Sequence, residues 1–252
     1  MTAKPRRWTK HYPDSPDGTA RCRTAAAHHA WLASLGAPVP RLLVAHPHKL
    51  EFEHIAGVHA RPQDLPALAC LLGDLHRVAY EHELHRARLD RPHHTTTGVT
   101  IPDFVSHRRI AIIRLLTQRA VPEPALSLSD AMNALDETLA GPAAFYKDSN
   151  PRNFLISTNG PVLVDFDTVT LAPLGYDLAK LIVTLAMTHG PIPDHQIRTA
   201  LTTYNTALTH AIRELQPVPW KTLMTWAAIH HVLTSPYLGR GGYRHRWTAH
   251  QP

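Results

Sequence analysis

Three polar residues that could bind a metal ion and a hydroxyl group lie within residues 145–167 of the chain. Asp148 and Asn153 belong to a polar loop, and Asp165 follows the apolar run 162–164. Carboxylate and amide oxygens are hard ligands, which suit Mg²⁺ when it also binds substrate phosphates. The residue types therefore indicate that Asn153 and Asp165 hold Mg²⁺, while Asp148 faces a substrate hydroxyl near the metal.

A β-hairpin is predicted to bring these residues together. Residues 154–157 and 162–166 are rich in apolar and β-branched side chains, which is typical of strands. Asn159-Gly160 lies between them, and Asn-Gly is the strongest short signal for a hairpin turn. Antiparallel pairing about this turn places Asn153 and Asp165 near one another at the open end of the hairpin.

This arrangement resembles the catalytic core of the protein-kinase-like superfamily, and specifically the aminoglycoside phosphotransferase family. Kinases carry a catalytic-loop Asp, an Asn five residues later and a metal-binding Asp after a hairpin. The matching positions are Asp148, Asn153 and Asp165, although Tyr146-Lys147 stands where the family usually has His-Gly. The resemblance covers about residues 8–190. It implies a phosphotransferase that uses ATP and Mg²⁺, with Asp148 as the catalytic residue.

The resemblance also implies a fold and a nucleotide site. Residues 51–57 resemble the last N-lobe strand and the hinge, so the main-chain groups of Glu53 and Ile55 would pair with adenine, and Phe52 would pack behind it. Asp177 resembles the family residue that braces the catalytic loop from the first turn of a helix. The implied fold is α+β and bilobal, with an N-lobe of residues 1–56 and a mainly helical C-lobe of residues 57–252.

The N-terminus departs from this pattern. A kinase N-lobe has two strands and a Gly-rich loop before the strand with the phosphate-binding Lys, for which Lys10 is the best candidate. Only nine residues precede Lys10, whereas two strands and a turn need roughly 15. Residues 20–35 contain no Glu or Asp to pair with it, and Asp14 and Asp17 are predicted to lie in a Pro-rich loop. The sequence predicts a shortened N-lobe, in which Lys10 either contacts phosphate or is an ordinary exposed lysine.

Charge indicates the class of acceptor. The formal net charge is +6, and from residue 190 onward only Asp194 and Glu214 are acidic, against six Lys or Arg residues. Binding of polycationic aminoglycosides should favour acidic walls. The sequence therefore favours a neutral or anionic small molecule with a hydroxyl group, and a peptide Ser/Thr kinase or a catalytically degenerate pseudokinase stays open. No aromatic platform is interleaved with the basic residues, so nucleic acid is not favoured as a partner.

Composition fits a globular enzyme. Apolar residues make up 44% of 252, and no apolar run approaches the length of a membrane span. The two cysteines and 20 histidines show no metal-ligand spacing. No apolar segment follows the basic N-terminus, so we expect a cytoplasmic protein.

The remaining elements are predicted from periodicity and turn signals. Strands are expected at residues 41–45 and 49–54, and a flexible basic tail from residue 239 onward. Helices are expected at residues 21–35, 63–89, 102–120, 128–139, 178–189, 194–214 and 220–233.

Overall fold

The computed structural model describes residues 6–248, and its N-lobe is a three-stranded antiparallel sheet with one helix. The strands lie in the order β1-β3-β2, with Trp8 opposite Phe52 and Lys10 opposite Leu50. No strand pairs with the outer edge of β1 among residues 6–248. The N-lobe elements are β1 (Arg7–His11), α1 (Pro16–Ser34), β2 (Leu42–His46) and β3 (Lys49–Glu53).

Helix α1 begins five residues before its predicted start because its cap lies further upstream. The Ser15 hydroxyl accepts a hydrogen bond from the Gly18 amide at 3.1 Å, and Pro16 occupies the first turn, where its missing N–H costs nothing. A Cβ at Gly18 would lie 1.9 Å from the Pro13 carbonyl oxygen, so only glycine fits there. Asp17 therefore belongs to the first turn of α1 and not to a loop, which corrects the prediction.

The N-lobe helix is anchored to the C-lobe through Trp31. Its indole N–H donates to the buried Glu83 carboxylate at 2.6 Å, and its ring packs edge-on against Phe145 with centroids 5.2 Å apart. Glu83 lies directly after the helix that follows the hinge. The position of α1 is thus coupled to the strand that precedes the catalytic loop.

The C-lobe is mainly helical. Helix α5 is almost entirely buried, whereas α2 and α6 pack so closely that a Cβ at Gly73 would lie 2.4 Å from the Tyr204 carbonyl oxygen. Hydrogen bonding between His76 and the Tyr204 hydroxyl at 2.7 Å joins the same two helices. The α-helices in the described part of this lobe are α2 (Leu65–His82), α3 (Val105–Thr117), α4 (Leu128–Glu137), α5 (Tyr176–His189), α6 (Asp194–Leu208) and α7 (Trp220–Thr234). None of the helices within residues 6–248 has the length and apolar character that a membrane span requires.

Short strands flank residues 147–153, the loop that carries Asp148. Strands β8 and β9 form the predicted hairpin, and β4 joins it; β7 pairs with β10, and β5 with β6. The strands are β4 (Val58–His59), β5 (His93–His94), β6 (Thr100–Ile101), β7 (Ala143–Tyr146), β8 (Phe154–Ser157), β9 (Gly160–Leu163) and β10 (Thr170–Pro173).

Several predicted boundaries are wrong. Ser157 pairs with Gly160, so the hairpin turn is Thr158-Asn159, and β9 ends at Leu163 and not at residue 166. The predicted helix 63–89 ends at His82, and the helix predicted to reach residue 214 ends at Leu208. Apolar periodicity continues past these ends in short 3-10 turns and loops that pack on the same core, so it overstates helix length.

The predicted flexible tail is also wrong for residues 239–248. Tyr243 and Trp247 are buried, and the Gly239 amide donates to the Tyr243 carbonyl at 2.8 Å. The amides of Arg244 and His245 both donate to the carbonyl of Met187 at the end of α5, at 2.8 and 3.0 Å. Two aromatic side chains outweigh the Gly- and Arg-rich composition that suggested flexibility.

Candidate active site

A cleft of about 750 Å³ lies between the N-lobe sheet and the β8–β9 hairpin. Such a volume suits a small-molecule or cofactor site. Every site residue predicted from the sequence lines it, namely Lys10, Phe52, Glu53, Ile55, Asp148, Asn153 and Asp165.

The loop that carries Asp148 is held in place by Asp177, which lies in the first turn of α5. Its buried carboxylate accepts hydrogen bonds from the amides of Lys147 and Ser149, at 3.2 and 3.1 Å. Burial raises the pKa of Asp177 to about 6, although these hydrogen bonds act in the opposite direction. Asp148 lies between the two bonded amides in the left-handed region, with φ at 56°. A non-glycine residue is strained there, and the Asp177 bridge holds it in place.

The carboxylate of Asp148 is oriented by two neighbours. The Tyr146 hydroxyl donates to Asp148 Oδ1 at 2.8 Å, and the Lys180 ammonium lies 3.5 Å from the same oxygen. The Asp148 side chain is 40% exposed at the cleft. Since both contacts reach Oδ1, the second oxygen, Oδ2, is the one available to a hydroxyl group.

Asn153 and Asp165 present oxygen ligands on the other side of the loop. The Asn153 amide nitrogen donates to the Asp148 carbonyl at 2.8 Å, which leaves its Oδ1 as the atom that can bind a metal. Burial acts to raise the pKa of Asp165, but the hydrogen bond and charge of Lys10 outweigh it and lower that pKa. Asp165 is therefore ionised at neutral pH.

This donor set fits Mg²⁺ bound together with phosphates. Among residues 6–248, no group of three or more His, Cys, Asp or Glu side chains could hold a metal without other ligands. Mg²⁺ typically uses one or two carboxylates and completes its coordination with water and substrate phosphates. Asp165 and the Asn153 amide oxygen match that requirement.

Lys10, on the N-lobe sheet, forms ion pairs with Asp165 and Asp167. Its ammonium lies 2.6 Å from Asp165 Oδ1 and 2.6 Å from Asp167 Oδ1. Trp8, Lys10 and Tyr12 all line the cleft, as expected for alternate residues on one face of β1 and its extension. Its two ion pairs show that Lys10 is not an ordinary exposed lysine, since its side chain is only 20% exposed.

The wall predicted to bind adenine is aromatic. Phe52 is buried, and its ring centroid lies 6.0 Å from Trp8, 5.4 Å from His29 and 5.8 Å from Phe166. Trp8 is 49% exposed although it lines the cleft. The Ile55 amide, which was predicted to face adenine, forms no hydrogen bond to another residue of the described range 6–248.

The lining of the cleft includes a second basic side chain, Arg152. Its guanidinium lies 5.9 Å from the ring centroid of Tyr243. The Tyr243 hydroxyl accepts a hydrogen bond from the Asn150 amide at 2.5 Å. Burial and the nearby charge of Asp148 raise the pKa of Tyr243. The C-terminal segment thus packs against two residues that line the cleft.

Lys147 is buried, so it cannot neutralise the charge of phosphates in the cleft. It is 1% exposed, and its ammonium donates to the Val164 carbonyl at 2.8 Å between the rings of Phe154 and Phe166. Burial lowers the pKa of Lys147 to about 8. This lysine lies beneath the segment that carries Asp165 and not on the cleft surface.

Sequence reasoning did not assign a role to several residues of the site. Tyr12 and Asp167 each lie two residues beyond a predicted site residue, which is the spacing that places side chains on the same side of an extended chain. Lys180 lies one helical turn after Asp177, a spacing that could also have indicated it. No local signal identifies Tyr243, because its contact with Asn150 joins residues 93 positions apart.

Comparisons with known proteins agree with the fold. A model of the phosphotransferase enzyme family (APH) matches residues 4–215. An aminoglycoside phosphotransferase, APH(3'')-Id, from Streptomyces rimosus, solved with ADP and streptomycin, is similar in structure with a TM-score of 0.59. It is 15% identical, and the match covers 90% of this chain and 86% of that chain. A search of curated proteins finds no significant match.

Two further solved structures show the same fold with different named substrates. The choline kinase LicA from Streptococcus pneumoniae has a TM-score of 0.59, with 13% identity over 94% of this chain and 79% of that chain. The macrolide 2'-phosphotransferase MphH from Brachybacterium faecium also has a TM-score of 0.59, with 16% identity over 96% and 83% of the two chains.

The fold and the family match indicate a phosphotransferase of protein-kinase-like fold that acts on hydroxyl groups. The chain belongs to the phosphotransferase enzyme family, whose model spans most of its length.

Proposed function

We propose that this protein transfers the γ-phosphoryl group of ATP to a hydroxyl group of a neutral or anionic small molecule. The observation that supports this most is the convergence of Asp148, Asn153 and Asp165 on one cleft, opposite Lys10. A relative with ADP in its structure supports the choice of nucleotide.

Asp148 acts on the acceptor. Its Oδ1 is engaged by Tyr146 and Lys180, so Oδ2 accepts the proton of the acceptor hydroxyl or orients that hydroxyl for in-line attack. Phosphoryl transfer requires little covalent chemistry from the protein, because positioning and charge neutralisation provide most of the acceleration. The strained, braced backbone at Asp148 supports this positioning role.

Asp165 and Asn153 would hold Mg²⁺ through one carboxylate and one amide oxygen. When bound, Mg²⁺ would neutralise charge on the phosphates of the nucleotide. Lys10 supplies a second positive charge to the phosphates from the N-lobe side.

The aromatic wall binds the adenine. Phe52 closes the back of the pocket, and the exposed ring of Trp8 provides a surface on which a base can stack, an interaction of roughly 1–3 kcal/mol. The carbonyl of Glu53 and the amide of Ile55 pair with the edge of the adenine, because the Glu53 amide already donates to the Arg41 carbonyl at 2.9 Å. The unpaired Ile55 amide supports this assignment.

The surroundings of Asp148 favour a neutral or anionic acceptor because basic side chains lie near it. Lys180 lies 3.5 Å from Asp148, and Arg152 lines the same cleft. A polycation would meet like charges there, which costs affinity.

Transfer to three small alcohols of different charge tests this proposal, namely glycerate, glycerol and ethanolamine, each with ATP and Mg²⁺ and with product detected by ³¹P NMR. We expect glycerate or glycerol to be phosphorylated in preference to ethanolamine. The variant Lys180→Gln should reduce the preference for glycerate over ethanolamine. The control Lys221→Gln, at an exposed position on α7, should leave that preference unchanged. Preferred transfer to ethanolamine would contradict the acceptor class. ATP binding without transfer to any hydroxyl compound, including acidic peptides, would indicate a kinase-fold binding protein.

A further inference from the structure

Lys10 lies between two carboxylates that have different surroundings. Its ammonium is 2.6 Å from an oxygen of Asp165 and 2.6 Å from an oxygen of Asp167. Asp165 is also the carboxylate assigned to Mg²⁺ above. A metal at Asp165 would compete for the same oxygen, so Asp167 is the partner that stays with Lys10 when metal and nucleotide are bound.

Asp167 is held in place from three sides. Its Oδ1 accepts hydrogen bonds from Lys10 and from the Tyr12 hydroxyl at 2.8 Å, and its Oδ2 lies 3.3 Å from the Arg21 guanidinium. Burial and the hydrogen bond to Asp167 raise the pKa of Tyr12, so this phenol stays a donor at neutral pH. These donors fix the carboxylate relative to β1 and α1 together.

Helix α1 provides no alternative partner. Its sequence from Pro16 to Ser34 contains one acidic residue, Asp17, which lies in the first turn and is exposed. Arg21 on the same helix points a positive charge toward Asp167. The helix therefore contributes a cation that orients the acid, and the acid itself comes from the segment after β9.

We infer that Asp167 is the positioning residue that holds Lys10 against the nucleotide phosphates, in place of an acidic residue on α1. This inference rests on the proposed function, since it assumes that Lys10 contacts phosphate. It assigns Asp167 a task that differs from metal binding, because both of its oxygens already accept hydrogen bonds from protein groups.

A double-mutant cycle on nucleotide affinity tests the inference. The Kd for ATP with saturating Mg²⁺ is measured by calorimetry for wild type, Asp167→Asn, Lys10→Gln and the double variant. Loss of a charge-assisted contact predicts an increase in Kd of about 10- to 100-fold for Asp167→Asn. If Asp167 acts through Lys10, the double variant binds ATP no more weakly than Lys10→Gln alone. Asp167→Glu, which keeps the charge, should recover part of the affinity.

Glu51→Gln is the matched control, because Glu51 forms ion pairs with Arg7 and Lys49 on the same sheet and does not line the cleft. It should leave the Kd within about twofold of wild type. Thermal melting of each variant without nucleotide separates unfolding from loss of affinity.

Three outcomes would overturn the inference. An unchanged Kd in Asp167→Asn, with wild type binding ATP normally, would refute the role of Asp167 alone. If raising the Mg²⁺ concentration above the level that saturates wild type restored the ATP affinity of Asp167→Asn, Asp167 would be a metal ligand instead. Failure of wild type to bind ATP would refute the proposed function, and the inference with it.

Discussion

Asp148 on the C-lobe wall and Lys10 on the N-lobe wall face the same cleft, but different interactions hold them. Asp148 belongs to a loop whose backbone is bridged by the buried Asp177, and its carboxylate is contacted by Tyr146 and Lys180. Lys10 belongs to the edge strand of a three-stranded sheet, and its position is set by ion pairs with Asp165 and Asp167.

This difference predicts which measurable property a substitution in each wall should change. On the C-lobe wall, main-chain hydrogen bonds in a buried environment fix the loop that carries Asp148. On the N-lobe wall, charge pairs at the cleft surface fix Lys10, so its geometry depends on charge, salt and bound metal. Substitutions on the C-lobe wall should therefore affect turnover, and those on the N-lobe wall should affect nucleotide affinity.

The largest effect is expected for Asp148→Asn. The amide keeps the shape of the side chain but cannot accept the hydroxyl proton, so kcat should fall by about 10²- to 10⁴-fold. The Kd for ATP should stay within about twofold, because Asp148 acts on the acceptor. Steady-state kinetics and calorimetry measure the two quantities, with Asp90→Asn on an exposed loop as the control. Turnover at the wild-type level would refute the role of Asp148.

The variant Lys147→Met probes the charge beneath the C-lobe wall. Burial lowers the pKa of Lys147 from 10.5 to about 8, so the unfolded state binds more protons than the folded state between these values. The free energy of unfolding of wild type should therefore rise with pH across this range, by on the order of 3 kcal/mol from this group.

In Lys147→Met this rise should be absent, whereas the exposed control Lys221→Met should keep it. Urea denaturation at a series of pH values between 8 and 10.5 measures the slope. If the free energy of unfolding rose equally with pH in wild type and Lys147→Met, burial would not lower the pKa of Lys147.

For the N-lobe wall, Lys10→Gln should weaken ATP binding by about 10- to 100-fold, as expected for loss of a charge-assisted contact. Lys49→Gln removes a lysine that pairs with Glu51 on the same sheet and should bind ATP normally. Calorimetry in the presence of Mg²⁺ provides the comparison. Equal affinity for wild type and Lys10→Gln would mean that Lys10 does not contact phosphate.

The smallest effect is expected for Tyr243→Phe. This change removes the hydroxyl that accepts from Asn150 and should lower the free energy of unfolding by about 1 kcal/mol. Tyr237→Phe, at an exposed position nearby, is the control. Urea denaturation distinguishes them, and no difference between the two variants would show that the C-terminal segment does not support the catalytic loop.

Much of the C-lobe wall could be predicted from the sequence because its signals are local. Asp148, Asn153 and Asp165 lie within 18 residues, and the hairpin between them has turn and strand signals of its own. The pairing of Ser157 with Gly160 moved the turn by one residue without moving the site, because Asn153 and Asp165 lie beyond the paired segment.

The N-lobe wall was less predictable because its contacts join distant parts of the chain. The two ion pairs of Lys10 span 155 and 157 residues. The folded position of residues 239–248 likewise depends on contacts with Met187 and Asn150 that no local pattern encodes. Composition alone predicted a flexible tail, and burial of two aromatic rings decided otherwise.

Calorimetric titration with ATP, in the presence and absence of Mg²⁺, tests the central claim most directly when wild type is compared with Asp165→Asn. The account predicts that wild type binds ATP in a Mg²⁺-dependent manner and that Asp165→Asn loses at least about tenfold in affinity with Mg²⁺ present. Absence of ATP binding by wild type, or binding that depends on neither Mg²⁺ nor Asp165, would contradict the claim that this cleft is the nucleotide site of a phosphotransferase.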